Sequence, residues 1–175
     1  MTAKVIYLVI CAAGPAPEAA TFVHLAHQHD ADVHIITTPS ARDFIDTADL
    51  EQLTGNPVVS EHRSPGEPRR GRPPAGLIVV APATANTVCK LATGIADNYA
   101  LDVVSESIGA GVPTTVIPFV NRALATRLPY REAVEQLRAE GIRLVMGSGG
   151  DGPHEPGQGS SAIETFPWQS GLTRE

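Results

Sequence analysis

Apolar runs separated by chain breakers dominate the pattern. Val5 to Cys11 is continuously apolar, as expected of a strand buried on both faces of a parallel sheet. Ala12-Ala13-Gly14-Pro15 interrupts it, and from about Pro17 to Gln28 the residues Ala20, Val23 and Ala26 fall at helical spacing. Ala31 to Thr37 repeats the strand pattern. Thr37-Thr38-Pro39-Ser40 ends it, and Ala41-Arg42-Asp43-Phe44-Ile45 begins a short helix. The strongest run is Gly76-Leu77-Ile78-Val79-Val80-Ala81. A tight loop, Pro82-Ala83-Thr84-Ala85, is expected after it. Asn86 is then the expected N-cap of a helix whose inward stripe is Val88, Leu91, Ala92 and Ile95. Leu101 to Gly109 continues as helix and Val112 to Pro118 predicts a fourth strand. Pro129 to Glu140 is an amphipathic helix with Ala133, Val134 and Leu137 inward and Gly141 just past its end. Ile142 to Met146 predicts a fifth strand.

Strands alternating with helices predict an α/β fold: a doubly wound, mostly parallel sheet in a flavodoxin-like or Rossmann-like three-layer sandwich. A chain of 175 residues, 42% hydrophobic and 18% charged, is expected to be one folded domain over residues 1–175. Two stretches depart from the alternation. Pro57-Val58-Val59-Ser60-Glu61-His62 leads into a loop at 63–74 rich in Pro, Gly and Arg, which resists helix and central strand alike. Its arginines, 63, 69, 70 and 72, read as a solvated surface, with attraction for a carboxylate or phosphate as the alternative. The tail from Gly147 is rich in Gly, Ser and Pro, with Phe166-Pro167-Trp168 near its end.

The net charge of −6 argues against nucleic acid as a partner. No apolar run approaches the ~20 residues that span a bilayer, so no membrane partner is expected. The two cysteines, Cys11 and Cys89, sit in apolar segments without disulfide or metal spacing; Cys89 reads as a small core residue and a cytoplasmic setting is expected. His24, His27 and His29 share a helix region without flanking carboxylates, so no metal is expected.

A strand, a small-residue loop and a helix start together make an anion or cofactor site, because backbone N–H groups can approach a ligand and the helix N-terminus favours negative charge. Pro82-Ala83-Thr84-Ala85-Asn86-Thr87 has this form, and an ordinary βα turn is the alternative. The loop with Ala13 and Gly14 is a second such place, though neither a GxGxxG fingerprint nor a P-loop lysine is present there. Gly147-Ser148-Gly149-Gly150-Asp151-Gly152 fits GxGxxG by letter, but Pro153 follows rather than a helix, so it is rejected. The hydroxyls of Thr38 and Ser40 could serve phosphate oxygens or cap the next helix.

Pro82-Ala83-Thr84-Ala85-Asn86-Thr87 resembles the PASANT motif of the flavin-containing cysteine decarboxylases, a family of phosphopantothenoylcysteine decarboxylases and lantibiotic-type peptidyl-cysteine decarboxylases. Gly94-Ile95-Ala96-Asp97-Asn98 resembles the family's next segment. The resemblance covers roughly residues 4 to 146. It implies FMN, with FAD as the alternative, held by Ala13, Gly14, Thr38, Ser40, Phe44, the 82–87 motif and Asn98. It implies His62 as catalytic base and Asn121, in Pro118-Phe119-Val120-Asn121, as the holder of the departing carboxylate. It also implies homotrimers or multiples of trimers with flavin at subunit contacts. The implied reaction is oxidative decarboxylation of a small thiol acid or peptide C-terminus, most simply a C-terminal peptidyl cysteine, to an enethiol. Flavin oxidises the thiol-bearing carbon to a thioaldehyde, an electron sink that eases loss of CO₂ from the neighbouring carbon.

Three departures qualify what the resemblance implies. His62 lies further from Pro82 than the family pattern has it, which an insertion in the 63–74 loop would explain. Val120, Leu124 and Ala125 replace the two methionines and the tryptophan of the family's PxMNxxMW segment, implying a differently shaped pocket. No cysteine follows Cys89, whereas the phosphopantothenoyl branch carries one in its substrate clamp to reduce the enethiol. Phosphopantothenoylcysteine decarboxylation and a non-catalytic flavin-binding or regulatory role are the alternatives.

Overall fold

In the computed structural model, which describes residues 4–66, 71–146 and 152–173, the apolar runs form strands β1 Lys4–Ile10, β2 Ala31–Thr37, β3 Leu77–Ala83, β4 Thr114–Pro118 and β5 Arg143–Leu144. All five pair in parallel, in the spatial order β2-β1-β3-β4-β5. The helices are α1 Ala19–His27, α2 Thr47–Thr54, α3 Ala85–Ala92, α4 Tyr99–Gly109, α5 Arg122–Ala125, α6 Leu128–Ala139 and α7 Gly159–Ile163. Arg69, Arg70 and the Gly147–Asp151 part of the rejected glycine pattern lie outside the described residues.

Alternation along the strands builds two cores. Tyr7, Val9, Ile78 and Val80 face α3, α4 and α6, where Val88, Leu101, Val104 and Leu137 meet them. Ile6, Leu8, Ile35 and Val79 face the other way, against Phe22 and Val23 of α1. The sheet is therefore buried on both sides, which is why its strands are apolar without polar alternation.

Several boundaries differ from the sequence expectation. The expected helix at Ala41 is a 3-10 turn, Pro39–Phe44, opened by the proline and followed by α2. Asp46 caps α2 by accepting the Asp49 N–H at 3.1 Å, and Gly55 closes it at φ 69°. This helix buries only Leu50, so its apolar stripe is too thin to detect. Ile95 does not face inward: α3 ends at Ala92, Gly94 turns the chain at φ 70°, and Ile95 is 47% exposed. The next helix is separate, beginning at Tyr99 under an Asn98 cap. β4 starts at Thr114 rather than Val112, because Pro113 has no N–H for the ladder. β5 is two residues long, with the Val145 N–H still donating to Val116 at 2.9 Å. Cys89 is half-buried at the edge of its core rather than inside it.

The tail joins the fold instead of trailing from it. Phe166 and Trp168 are buried, the Trp168 ring lying 4.7 Å from that of Phe166 and 6.4 Å from that of Phe22. Gly171 follows in a 3-10 turn, Trp168–Gly171, where an added Cβ would lie 2.8 Å from Phe22 and 2.9 Å from Val79. Gly171→Ala is therefore expected to lower stability by about 1–3 kcal/mol. Urea denaturation checks this, and an unchanged midpoint would contradict the seating of the tail. Among the described residues no helix is long and apolar enough to cross a membrane.

Candidate functional site

The crevice at the β1/β3 boundary organises the C-terminal edge of the sheet. α1 leaves β1 on one face and α3 leaves β3 on the other, so the strand order reverses between them. In open α/β sheets ligands bind at such a switch point, and a 2-1-3-4-5 sheet has it at β1/β3. The loops there are sewn together by main-chain bonds beyond the ladders. The Cys11 N–H donates to Pro82 at 3.1 Å, Thr38 to Ile10 at 3.0 Å, and Phe119 to Ala83 at 2.8 Å.

The 82–87 motif is tighter than expected. Pro82 and Ala83 continue β3, with a register irregularity between Val80 and Ala83 and a cis Ala81–Pro82 bond. Thr84, not Asn86, is the N-cap of α3. It is the last residue with extended dihedrals, and its Oγ1 accepts the Thr87 N–H at 3.2 Å. Asn86 is already helical and exposed. Helix geometry leaves the N–H groups of Ala85 and Asn86 without intrahelical acceptors, at the positive end of the α3 dipole. Below them Cys11 is fully buried. Burial pushes its thiol up, with hydrogen bonds to Thr87 and Thr84 pulling the other way, so it stays protonated and a poor nucleophile.

Along the same edge, Thr38 is buried and makes no capping bond with its hydroxyl. The neighbouring Thr37 hydroxyl is buried with no partner among the described residues. An orphaned hydroxyl at a strand end, small residues at 12–14 and 83–85, and free helix N–H groups together suit the phosphate and polar edges of a nucleotide. Ser40 and Phe44 lie exposed on the 3-10 turn after Thr38, Phe44 at 43%. Gly14 is explained by packing: an added Cβ would lie 3.0 Å from Phe119 and 3.1 Å from Ile163 of α7. Asn98 caps α4, accepting the Leu101 N–H at 3.1 Å while its amide donates to Asp97 at 3.2 Å.

His62 is held from behind. Val59 forms an isolated parallel bridge with Ile36, giving its N–H to Ile35 at 3.1 Å and accepting from Thr37 at 2.9 Å. This carries Ser60 to His62 past the end of β2. The imidazole meets the Tyr99 ring edge-on at 5.0 Å, and its Nε2 lies 4.0 Å from the Asp102 carboxylate. Arg72 donates to the Tyr99 hydroxyl and lies over the Tyr7 ring at 5.2 Å. The Tyr7 hydroxyl donates to Pro73 at 2.8 Å, pinning the far end of the loop.

Asn121 caps α5, its Oδ1 accepting the Leu124 N–H at 3.0 Å. Its backbone bridges His154 of the tail, and Arg122 adds a 2.6 Å ion pair with Glu155. Phe119 packs on the His154 ring at 4.7 Å. Tyr99, Asp102, Phe119 and His154 are site neighbours that sequence patterning missed. Tyr99, Asp102 and Phe119 lie close to Asn98 or Asn121 in the chain, whereas His154 arrives from the tail and carried no such signal. Among the described residues no His, Cys, Asp and Glu group is placed to hold a metal.

A 2-1-3-4-5 parallel sheet with a small-residue crevice and a freshly capped helix at its switch point defines a doubly wound nucleotide-binding α/β protein. More particularly, residues 1–166 match the Flavoprotein family, and the chain belongs to it. It is 29% identical over 151 residues to the coenzyme A biosynthesis bifunctional protein CoaBC of Thermococcus kodakarensis, covering 83% of this chain and 37% of that one. It is 30% identical over 141 residues to the probable phosphopantothenoylcysteine decarboxylase of Streptococcus mutans, covering 78% and 75%. The chain thus matches little more than a third of the bifunctional relative's length. Its fold is that of the peptidyl-cysteine decarboxylase EpiD, with TM-score 0.73, 20% identity and coverage of 98% and 100%. It is equally that of the FMN-dependent cysteine decarboxylase TvaF, with TM-score 0.70, 23% identity and coverage of 93% and 95%.

Proposed function

We propose that this protein is an FMN-dependent decarboxylase of a cysteine-type thiol acid, acting on a C-terminal peptidyl cysteine and releasing CO₂ and an enethiol. The observation that carries the reading is the capped α3 N-terminus at the switch-point crevice, built by the family's own motif. Ala13, Gly14, Thr38, Ser40, Phe44, Asn98 and the motif from Pro82 to Thr87 would hold the cofactor. When bound, FMN would accept two electrons from the carbon bearing the thiol. His62 takes the thiol proton. With Oδ1 of Asn121 committed to the Leu124 N–H, its Nδ2 is the group left to donate to the substrate carboxylate. Asp102 and Tyr99 orient the imidazole.

The peptidyl substrate is favoured because no cysteine follows Cys89. Returning the reduced flavin's two electrons to the enethiol would also need a proton donor at the receiving carbon, which a further cysteine thiol could supply; without it the product remains an enethiol and an external acceptor reoxidises the flavin. The 30% identity to the Streptococcus mutans protein favours phosphopantothenoylcysteine as the second reading. Anaerobic mixing of FMN-loaded protein with a cysteine-ending peptide should bleach the flavin and release stoichiometric CO₂. Bleaching by phosphopantothenoylcysteine alone would select the second reading, and bleaching by neither would leave a flavin binder. Assembly into trimers, with flavin at the contacts, belongs to the same proposal and is read by sedimentation.

Two variants test the cofactor site. Thr84→Ala removes a cap worth about 0.5–2 kcal/mol and should weaken FMN retention, while Thr84→Ser should keep both. Asn86→Asp sets a carboxylate beside the cofactor's phosphate end and should loosen FMN several-fold, measured by equilibrium dialysis. Undiminished retention would reduce Asn86 to a helix-surface residue.

A further inference from the structure

Beside the Asn121 loop the chain leaves a cavity of about 520 Å³ between α5, α6 and the tail, lined by Ala125, Leu128, Tyr130, Val134, Met146 and Pro153. That volume lies within the usual range for a small-ligand pocket. A smaller space under Phe119 and Val120 shares Tyr130, Met146 and Pro153 with it, so the two lie side by side next to the segment that carries Asn121. Ala125 belongs to the single turn that Asn121 caps, its N–H donating to the Asn121 carbonyl at 2.9 Å. Arg131, Glu132 and Glu135 also line it, and all three are exposed, so charge lies on its solvent side; Leu128 is 59% exposed as well.

Tyr130 makes this more than an apolar dent. It is 4% exposed, and its hydroxyl has no hydrogen-bond partner among the described residues. A buried, unsatisfied hydroxyl costs about 1–3 kcal/mol, which a ligand acceptor would recover. Burial, with Cys89 adding to it and Arg138 opposing, pushes Tyr130 up to about 12, so the hydroxyl is a donor throughout the physiological range.

We infer that this cavity is a specificity subsite for an apolar group of the substrate remote from the reacting thiol, one bearing a carbonyl that accepts from Tyr130. The inference rests on the decarboxylase reading for the identity of that substrate, and it makes Ala125 the residue that sets the subsite's size. In a peptidyl cysteine the fitting group is a large aliphatic side chain with its adjoining backbone carbonyl.

The test uses redox-inert peptides in which serine replaces the terminal cysteine. Calorimetry on FMN-loaded full-length protein compares acetyl-Ala-Leu-Ser with acetyl-Ala-Gly-Ser, and turnover is followed in parallel with the cysteine versions. The leucine peptide should bind at least tenfold more tightly. Ala125→Trp, which fills the cavity, should bring the ratio near one, and Tyr130→Phe should weaken both peptides several-fold without changing the melting temperature by more than a few degrees. Equal binding of the two peptides by the unmodified protein overturns the subsite even if both cysteine peptides are turned over. A leucine preference with no turnover upholds the subsite and overturns the decarboxylase reading instead. A fall in sedimentation mass for Ala125→Trp, with peptide affinities unchanged, overturns the subsite in favour of a second copy of the chain covering this face.

Discussion

His62→Asn should leave FMN bound and lower turnover by about 10²–10⁴-fold, the range over which a positioned general base contributes. The side chain touches no core: it is 61% exposed and leans on Tyr99 and Asp102, so replacing it removes a proton acceptor without opening a cavity. The melting temperature and the flavin spectrum should therefore be unchanged, which separates loss of chemistry from loss of structure. The same exposure gives a positive control, because imidazole added to the solution can reach the vacated position and should restore part of the rate. Turnover equal to that of the unmodified protein would remove His62 from the mechanism. Tyr99→Phe should have a far smaller effect, since it keeps the ring edge against the imidazole and loses only the hydroxyl that Arg72 uses.

Trp168→Ala should lower stability by about 3–5 kcal/mol, as large aromatic truncations in a packed core do. The indole is 4% exposed and lies 4.7 Å from Phe166 and 6.4 Å from Phe22. Its removal empties the space where the tail meets α1. Trp168→Phe should cost much less: it keeps an aromatic edge there, and the indole N–H it discards has no partner among the described residues. Far-UV circular dichroism in urea reads both variants independently of the lost fluorophore. A loss under about 1 kcal/mol for the alanine variant would mean that the tail is not core.

The alternating βα layout was legible because each strand is buried on both faces and so appears as an unbroken apolar run. The crevice was legible for a different reason: Ala83, Thr84 and Ala85 are small and adjoin a helix start. What escaped notice depended on contacts distant in sequence. Asn86 looked like the cap because it is the better capping residue by type, but the chain stays extended only as far as Thr84, and position decides the cap. Phe166 and Trp168 sit in a stretch rich in Gly, Ser and Pro that shows no periodic pattern, and the partner that buries Trp168 is Phe22, far away in the chain. The surroundings of His62 were unreadable for the same reason, since Tyr99 and Asp102 arrive from a helix beyond the crevice motif.

The bridge from Val59 to Ile36 has a bearing on how such chains diverge. The imidazole's height above the sheet is metered by main-chain register, three residues beyond a fixed anchor, while Pro73 and Arg72 are clasped independently by Tyr7 and Tyr99. Insertions between these two moorings lengthen only the span that connects them, at a cost that grows as the logarithm of loop length. Sequence drift there can accumulate while the His62 imidazole stays where it is, and alignments that count residues backwards from β3 will misplace it.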